Sequence, residues 1–203
     1  MKTSDMLKES VADIRSHFPV GLMRDRERYA WWLSQTYHFV CHSTQLLGYA
    51  LPFLKDQNLR SVYEHHLGEE SRHDLLAIKD IEKLGLKIFP VSPHTEAFYQ
   101  SQYYRIQFEG GSTLLGYILF LEHLAVTWGK EMYEELLPLY PQSVLFLRVH
   151  AEEDPSHVSR AIKMIEGLPT EQQEKILRNF RASCALYSAI LNEGNIIKLL
   201  KCA

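Results

Sequence analysis

The chain has 203 residues, 46% apolar and 23% charged, with a formal net charge of −3. That suits one domain spanning residues 1–203 with its own core, and is thin for two. The balance excludes a disordered, collagenous or disulfide-stapled chain, and it offers no basic excess to follow a phosphate backbone.

The first residues, MKTSDMLKESVADIRSHF, alternate charged and apolar side chains and lack the apolar stretch of a secretion signal. They read as a helix over about 4–17, closed by Phe18-Pro19. A long helix follows over about 25–49, before Pro52, and a third over about 57–84, stopped by Gly85. Residues 86–93, with two prolines, form a connector, and a helix over about 94–108 ends at Gly110-Gly111. The most apolar helix spans about 112–137, before Pro138 and Pro141. Its apolar run is too short to cross a bilayer and carries Glu122 and His123. Residues 142–166 have a helical pattern that contains Pro155. Thr170, with Gln173 three residues on, forms a capping-box pattern that opens a last helix to about residue 192. Along it Ile176, Phe180, Cys184, Tyr187, Ile190 and Leu191 make one apolar stripe. With no strand alternation, the fold class is all-α, a bundle of seven to eight helices. Cys41, Cys184 and Cys202 are distant and odd in number, so they read as reduced thiols, and a cytoplasmic setting is expected.

Ten histidines are spread unevenly, and three segments put ionisable groups where a bundle wants apolar ones. The first is Glu64-His65-His66-Leu67-Gly68-Glu69-Glu70-Ser71-Arg72-His73. On a helix Glu70 and His73 share a face, with His66 one turn earlier, and Glu-x-x-His hands a carboxylate and an imidazole to one metal. Taken alone, the segment reads first as a solvated charged face, since charged residues are mostly exposed. The second is LLGYILFLEHLAVTW, where Glu122 stands isolated on an apolar helix and must be paired, protonated or metal-bound. An ion pair to Arg148 is the structural alternative. The third is His150-Ala-Glu-Glu-Asp154-Pro-Ser-His157, a possible three-ligand strip. Its alternative is that Asp154 caps a helix beginning at Pro155, and Pro155 itself predicts a break, kink or mobile segment at 151–155. Together the segments supply Glu70, His73, Glu122, His150, Asp154 and His157 as candidate catalytic and metal-binding residues. Two ferrous ions bring four positive charges, and three carboxylates return three. Mixed N/O ligation suits iron or manganese, and no cysteine is near to make a zinc–thiolate site.

Glu70-x-x-His73, the lone Glu122 in LEHLAVTWG, and HAEEDPSH resemble the heme-oxygenase-like di-metal oxidases. These share a fold with heme oxygenase, the TenA-type thiaminase II proteins and the PqqC-type oxidases. QTYHFVCHSTQLLGYAL also looks like this group, so the resemblance covers most of the chain. It implies a heme-oxygenase-like bundle with two Fe(II) ions, manganese being possible, and O2 as co-substrate. Oxidative cleavage, desaturation or N-oxygenation of a small metabolite is the implied chemistry. The expected partners are a small-molecule substrate and a second copy in a homodimer, with no nucleic acid and no membrane. Some members take their first carboxylate seven residues before the histidine; here that position is His66, and Glu69 is a less well-phased substitute for Glu70.

The same fold supports a metal-free TenA-like or PqqC-like binding or salvage protein, for which Cys41 and Cys184 are the candidate thiols. His38 and His42 offer a heme ligand, or a place at the pocket wall. A ferritin-like site needs an acid on the preceding helix, and residues 35–45 contain none. Trp31, Tyr37, Tyr103, Tyr104, Trp128 and Tyr187 are candidates to line a pocket for an apolar or amphipathic molecule, with Arg105, Arg148 or Arg181 to bind a carboxylate.

Overall fold

The computed structural model describes residues 3–194, leaving aside the side chains of residues 3–6, 8, 10, 11 and 153–156. Among the described residues every regular element is helical. The segments are α1 (Thr3–His17), α2 (Arg26–Val40), α3 (Ser43–Ala50), α4 (Gln57–Glu69) and α5 (Asp74–Lys83). They continue with α6 (Pro93–Glu109), α7 (Leu114–Leu124), α8 (Lys130–Leu136), α9 (Leu145–Gly167) and α10 (Thr170–Glu193).

Local chemistry accounts for several starts. Asp25, Asp56 and Ser92 each accept a backbone N–H three residues on, from Arg28 (2.9 Å), Leu59 (2.9 Å) and Thr95 (3.1 Å). Pro93 then occupies the first turn of α6, where its missing N–H costs nothing.

Three helices that read as continuous in the sequence are interrupted. The one over 25–49 breaks between α2 and α3, and the one over 57–84 breaks at the turn between α4 and α5. The third holds a π-helical turn, Ala125–Gly129, between α7 and α8. Apolar spacing carries on across each interruption, so periodicity alone does not reveal it.

The reverse holds at Pro155. A break was expected at 151–155, yet the backbone of α9 is helical from Leu145 to Gly167. A proline inside a helix costs about 3 kcal/mol. Here buried residues on both sides, Phe146 and Leu147 before it and Ala161 and Ile165 after it, hold the two halves in one helix. Asp154 therefore does not cap a helix starting at Pro155. At Thr170 the capping box is not formed either. Pro169 is the cap residue of α10, and the Gln173 amide donates instead to the Leu168 carbonyl, at 2.7 Å.

Helix α7 is the centre of the bundle, packed on α10 and α9. Its closeness to α10 depends on Gly116, where a Cβ would stand 2.2 Å from the Ile176 carbonyl oxygen. The Asn179 amide of α10 donates to Gln102 Oε1 (2.8 Å) and to the Thr113 carbonyl (2.9 Å), fixing the start of α7. A second tie is buried Asp80 of α5. Its carboxylate accepts the first amides of α9, Leu145 N–H at 3.0 Å and Phe146 N–H at 2.8 Å. It thereby joins the helix that follows His73 to the helix that carries His150.

Candidate metal centre

Two clusters of potential ligands face each other inside the bundle. In the first, ligand atoms of His66 (α4), Glu122 (α7) and His157 (α9) lie within 4.8 Å of one another, and all three residues are buried. Glu122 Oε1 is 3.5 Å from His66 Nε2 and 3.5 Å from His157 Nδ1. In the second, ligand atoms of Glu70, His73 and His150 lie within 4.8 Å of one another, and these residues are half-buried. Glu70 Oε1 is 3.9 Å from His73 Nδ1 and 3.9 Å from His66 Nε2, so it touches both clusters. The rings of His73 and His150 meet edge to face, with centroids 5.0 Å apart.

Glu70 and His73 do not share a continuous helix. They occupy the turn between α4 and α5, where Arg72 takes a left-handed φ of 70°. That conformation costs energy for a residue with a Cβ, and such strain gathers at functional sites. The turn still brings the two side chains together.

Two histidines have Nδ1 turned to a neighbour outside the clusters. His66 Nδ1 faces Glu69 Oε2 at 3.4 Å, and its Nε2 faces Glu122 and Glu70. His150 Nδ1–H donates to the Phe146 carbonyl at 2.8 Å, which leaves its Nε2 lone pair available. This is how metal-binding imidazoles are commonly oriented. Glu69 also stands 3.5 Å from His157 Nε2 and 3.0 Å from His65 Nε2. Sequence spacing treated Glu69 as a stand-in for Glu70; the structure gives it a different place, outside the cluster and behind His66 and His157. His66 was the weaker candidate by sequence, and the signal for it was its position one turn before Glu70.

Burial pushes the Glu122 carboxyl above its ordinary range, against the pull of His157, 3.5 Å away, and of nearby His66. His157 is raised in turn, first by its close contact with Glu122. For Glu69, burial pulls upward, but His157, His66 and His65 together bring the carboxyl below its usual value. Glu122 Oε2 and His73 Nδ1 are buried with no hydrogen-bond partner among the described residues. Unpaired buried acceptors converging with imidazoles are what a bound cation would satisfy, and the mixed N/O donor set fits iron.

The side chain of Asp154 lies outside the described residues. Arg148 is exposed and acts electrostatically on Asp80; the ion-pair partners of Glu122 among the described residues are His66 and His157. A cavity open on one side lies beside the clusters and is bordered by Glu70, Glu122, His66 and His150. Trp128 and Tyr187 line it; Trp31, Tyr37, Tyr103, Tyr104, Arg105, Arg148 and Arg181 do not. Arg105 instead pairs with Glu109 at 3.3 Å. His38 bonds the Phe89 carbonyl at 2.9 Å, and His42 stacks on Tyr99 with ring centroids 3.9 Å apart, so neither reaches the cavity wall. Cys41 and Cys184 are also off the wall, and burial pushes the Cys41 thiol up, away from the thiolate a nucleophile needs. Cys202 lies outside the described residues. No helix among the described residues is long and apolar enough to cross a membrane.

Known structures share this architecture. A domain of unknown function with a heme oxygenase-like fold, from Shewanella denitrificans, superposes with a TM-score of 0.84 at 22% identity. The alignment covers 98% of this chain and 93% of that one. A TenA homologue from Pyrococcus furiosus superposes with a TM-score of 0.76 at 14% identity, covering 94% of this chain and 98% of that one. At these identities the likeness shows the fold, which is heme oxygenase-like. No curated protein matches the chain. Residues 30–188, which include both clusters, match the family described as iron-containing redox enzymes, and the chain belongs to that family.

Proposed function

We propose that the protein is a non-heme di-iron oxidase or oxygenase that uses O2 to oxidise a small organic metabolite. The observation that carries this reading is the pair of facing clusters, His66–Glu122–His157 and Glu70–His73–His150, joined through Glu70. Each would hold one ferrous ion, with Asp154 of α9 as a further ligand proposed from its sequence spacing. The bound metal pair would supply the electrons and the Lewis acidity for oxygen activation.

The chain's own groups prepare this. Glu69 and the Phe146 carbonyl hold protons on the outer nitrogens of His66 and His150, keeping the inner nitrogens as acceptors. Glu122 and His157 share a proton that metal binding displaces. The apolar cavity admits the organic substrate beside Glu70 and Glu122.

Ferrous iron titrated into the metal-free protein under argon tests the reading. Two equivalents bound, followed by oxygen uptake on exposure to air, are expected. A chain that binds no iron would instead be a metal-free, TenA-like binding or salvage protein.

A further inference from the structure

The cavity beside the clusters has an unusual polar inventory. Its walls are Trp32, Phe39, Leu46, Leu121, Trp128 and Phe146, among other apolar groups. Among the described residues it is lined by no lysine, arginine or aspartate, and its only charged border is Glu70 and Glu122 with His66 and His150. Two hydroxyls on the wall, Tyr117 of α7 and Thr36 of α2, are buried and have no hydrogen-bond partner among the described residues. Leaving a buried hydroxyl unsatisfied costs about 1–3 kcal/mol, so two on one wall call for a ligand. Nearby Tyr187 differs, since its oxygen accepts from Trp32 Nε1 at 2.8 Å.

We propose that the cavity binds an uncharged, mostly apolar molecule with one hydrogen-bonding atom, which the Tyr117 and Thr36 hydroxyls hold. In the metal-free chain a carboxylate or phosphate head would meet two glutamates and no cation on the wall, and with metal bound it would be drawn to the metal and away from the two hydroxyls. An ammonium group would lose its attraction once the glutamates hold metal. The Tyr117 phenol O–H is a donor on the α7 side of the cavity. Tyr117 and Thr36 are thus positioning residues. That the bound molecule is a substrate rests on the di-iron reading; that it binds does not.

The test uses eight-carbon probes with one tail and different heads, read by the fluorescence of Trp32 and Trp128 in the full chain. In the metal-free protein, 1-octanol is expected to bind saturably, one per chain and at least tenfold tighter than octanoate. In the iron-loaded protein under argon it is expected to bind at least tenfold tighter than octylammonium. Tyr117→Phe and Thr36→Val should each weaken octanol about tenfold, with an unchanged or higher melting temperature because no existing hydrogen bond is lost. Leu121→Trp, which fills the cavity from its wall, should abolish binding. Octanoate binding as tightly as octanol, or octanol binding unmoved by both hydroxyl variants, overturns the proposal. Iron titration of Tyr117→Phe separates the two readings. Normal uptake with weakened octanol binding supports both. A natural chain that takes up no iron yet binds octanol through Tyr117 overturns the metal centre alone.

Discussion

His66 Nε2 lies 3.9 Å from Glu70 Oε1, and this contact joins the two clusters of potential ligands into one centre. It also makes His66 more than a neighbour of the Glu-x-x-His pair. His66→Ala is expected to remove one of two bound ferrous ions, whereas Glu69→Gln should retain both with affinity lowered about 10- to 100-fold, the size of effect typical for a group that orients a ligand. Calorimetric titration under argon distinguishes the two outcomes.

Glu122→Gln keeps the shape of the side chain and removes its charge. Because burial already disfavours the charged carboxylate, the metal-free variant should melt at the same temperature as the natural chain or higher. Iron binding at the His66–His157 side should nevertheless be lost. A large fall in the metal-free melting temperature would mark Glu122 as a structural ion-pair partner instead.

Iron uptake should release protons and weaken as pH falls. Glu122 and His157 both have raised pKa values, so the pair holds a proton that the metal must displace. Below the raised value of His157, affinity should drop about tenfold per pH unit for each proton displaced. Proton release measured in weakly buffered solution, in wild type and His157→Ala, checks this; the variant should release fewer.

Asp80 predicts a separate effect on stability. Burial pushes its carboxyl up to about 6 in the folded chain, despite the two α9 amides it accepts. Between about pH 4 and pH 6 the folded chain holds a proton that the unfolded chain has lost, so this group's contribution to stability falls as pH rises and is flat above. The loss is on the order of 2–3 kcal/mol. Denaturant unfolding of the natural chain against Asp80→Asn should show the difference between them shrinking over that window and constant above it.

Glu122 was legible in the sequence because one acid interrupts a long apolar run, and no solvated face explains it. The helical class and its rods were legible from apolar spacing. The turn at 70–73 was not, since a left-handed residue is usually announced by glycine or asparagine and here it is Arg72. The sequence pattern did not single out Asp80 either. Its signal was there, since buried Ala77, Ile81 and Leu84 place it on the apolar side of α5, but its partners are backbone amides some 65 residues away and carry no mark in the sequence. Glu69 was judged as a rival ligand because spacing alone does not distinguish a group that binds metal from one that holds the binder.

The π-helical turn at Ala125–Gly129 begins three residues after Glu122, and within it the Thr127 hydroxyl donates to the His123 carbonyl at 2.5 Å. Upstream of it the helix aims Glu122 at two histidines; the end of the turn buries Trp128, and downstream the helix buries Met132 and Leu136. A π turn holds one more residue than an α turn, so losing one there would rotate everything downstream by about 100° relative to Glu122. Trp128 lines the cavity and donates to the Phe18 carbonyl at 2.9 Å, so that rotation would unseat a cavity wall and the link to the α1 end together. The spare residue works as a phase adjuster, letting the reactive half of the rod and its packing half follow different angular registers.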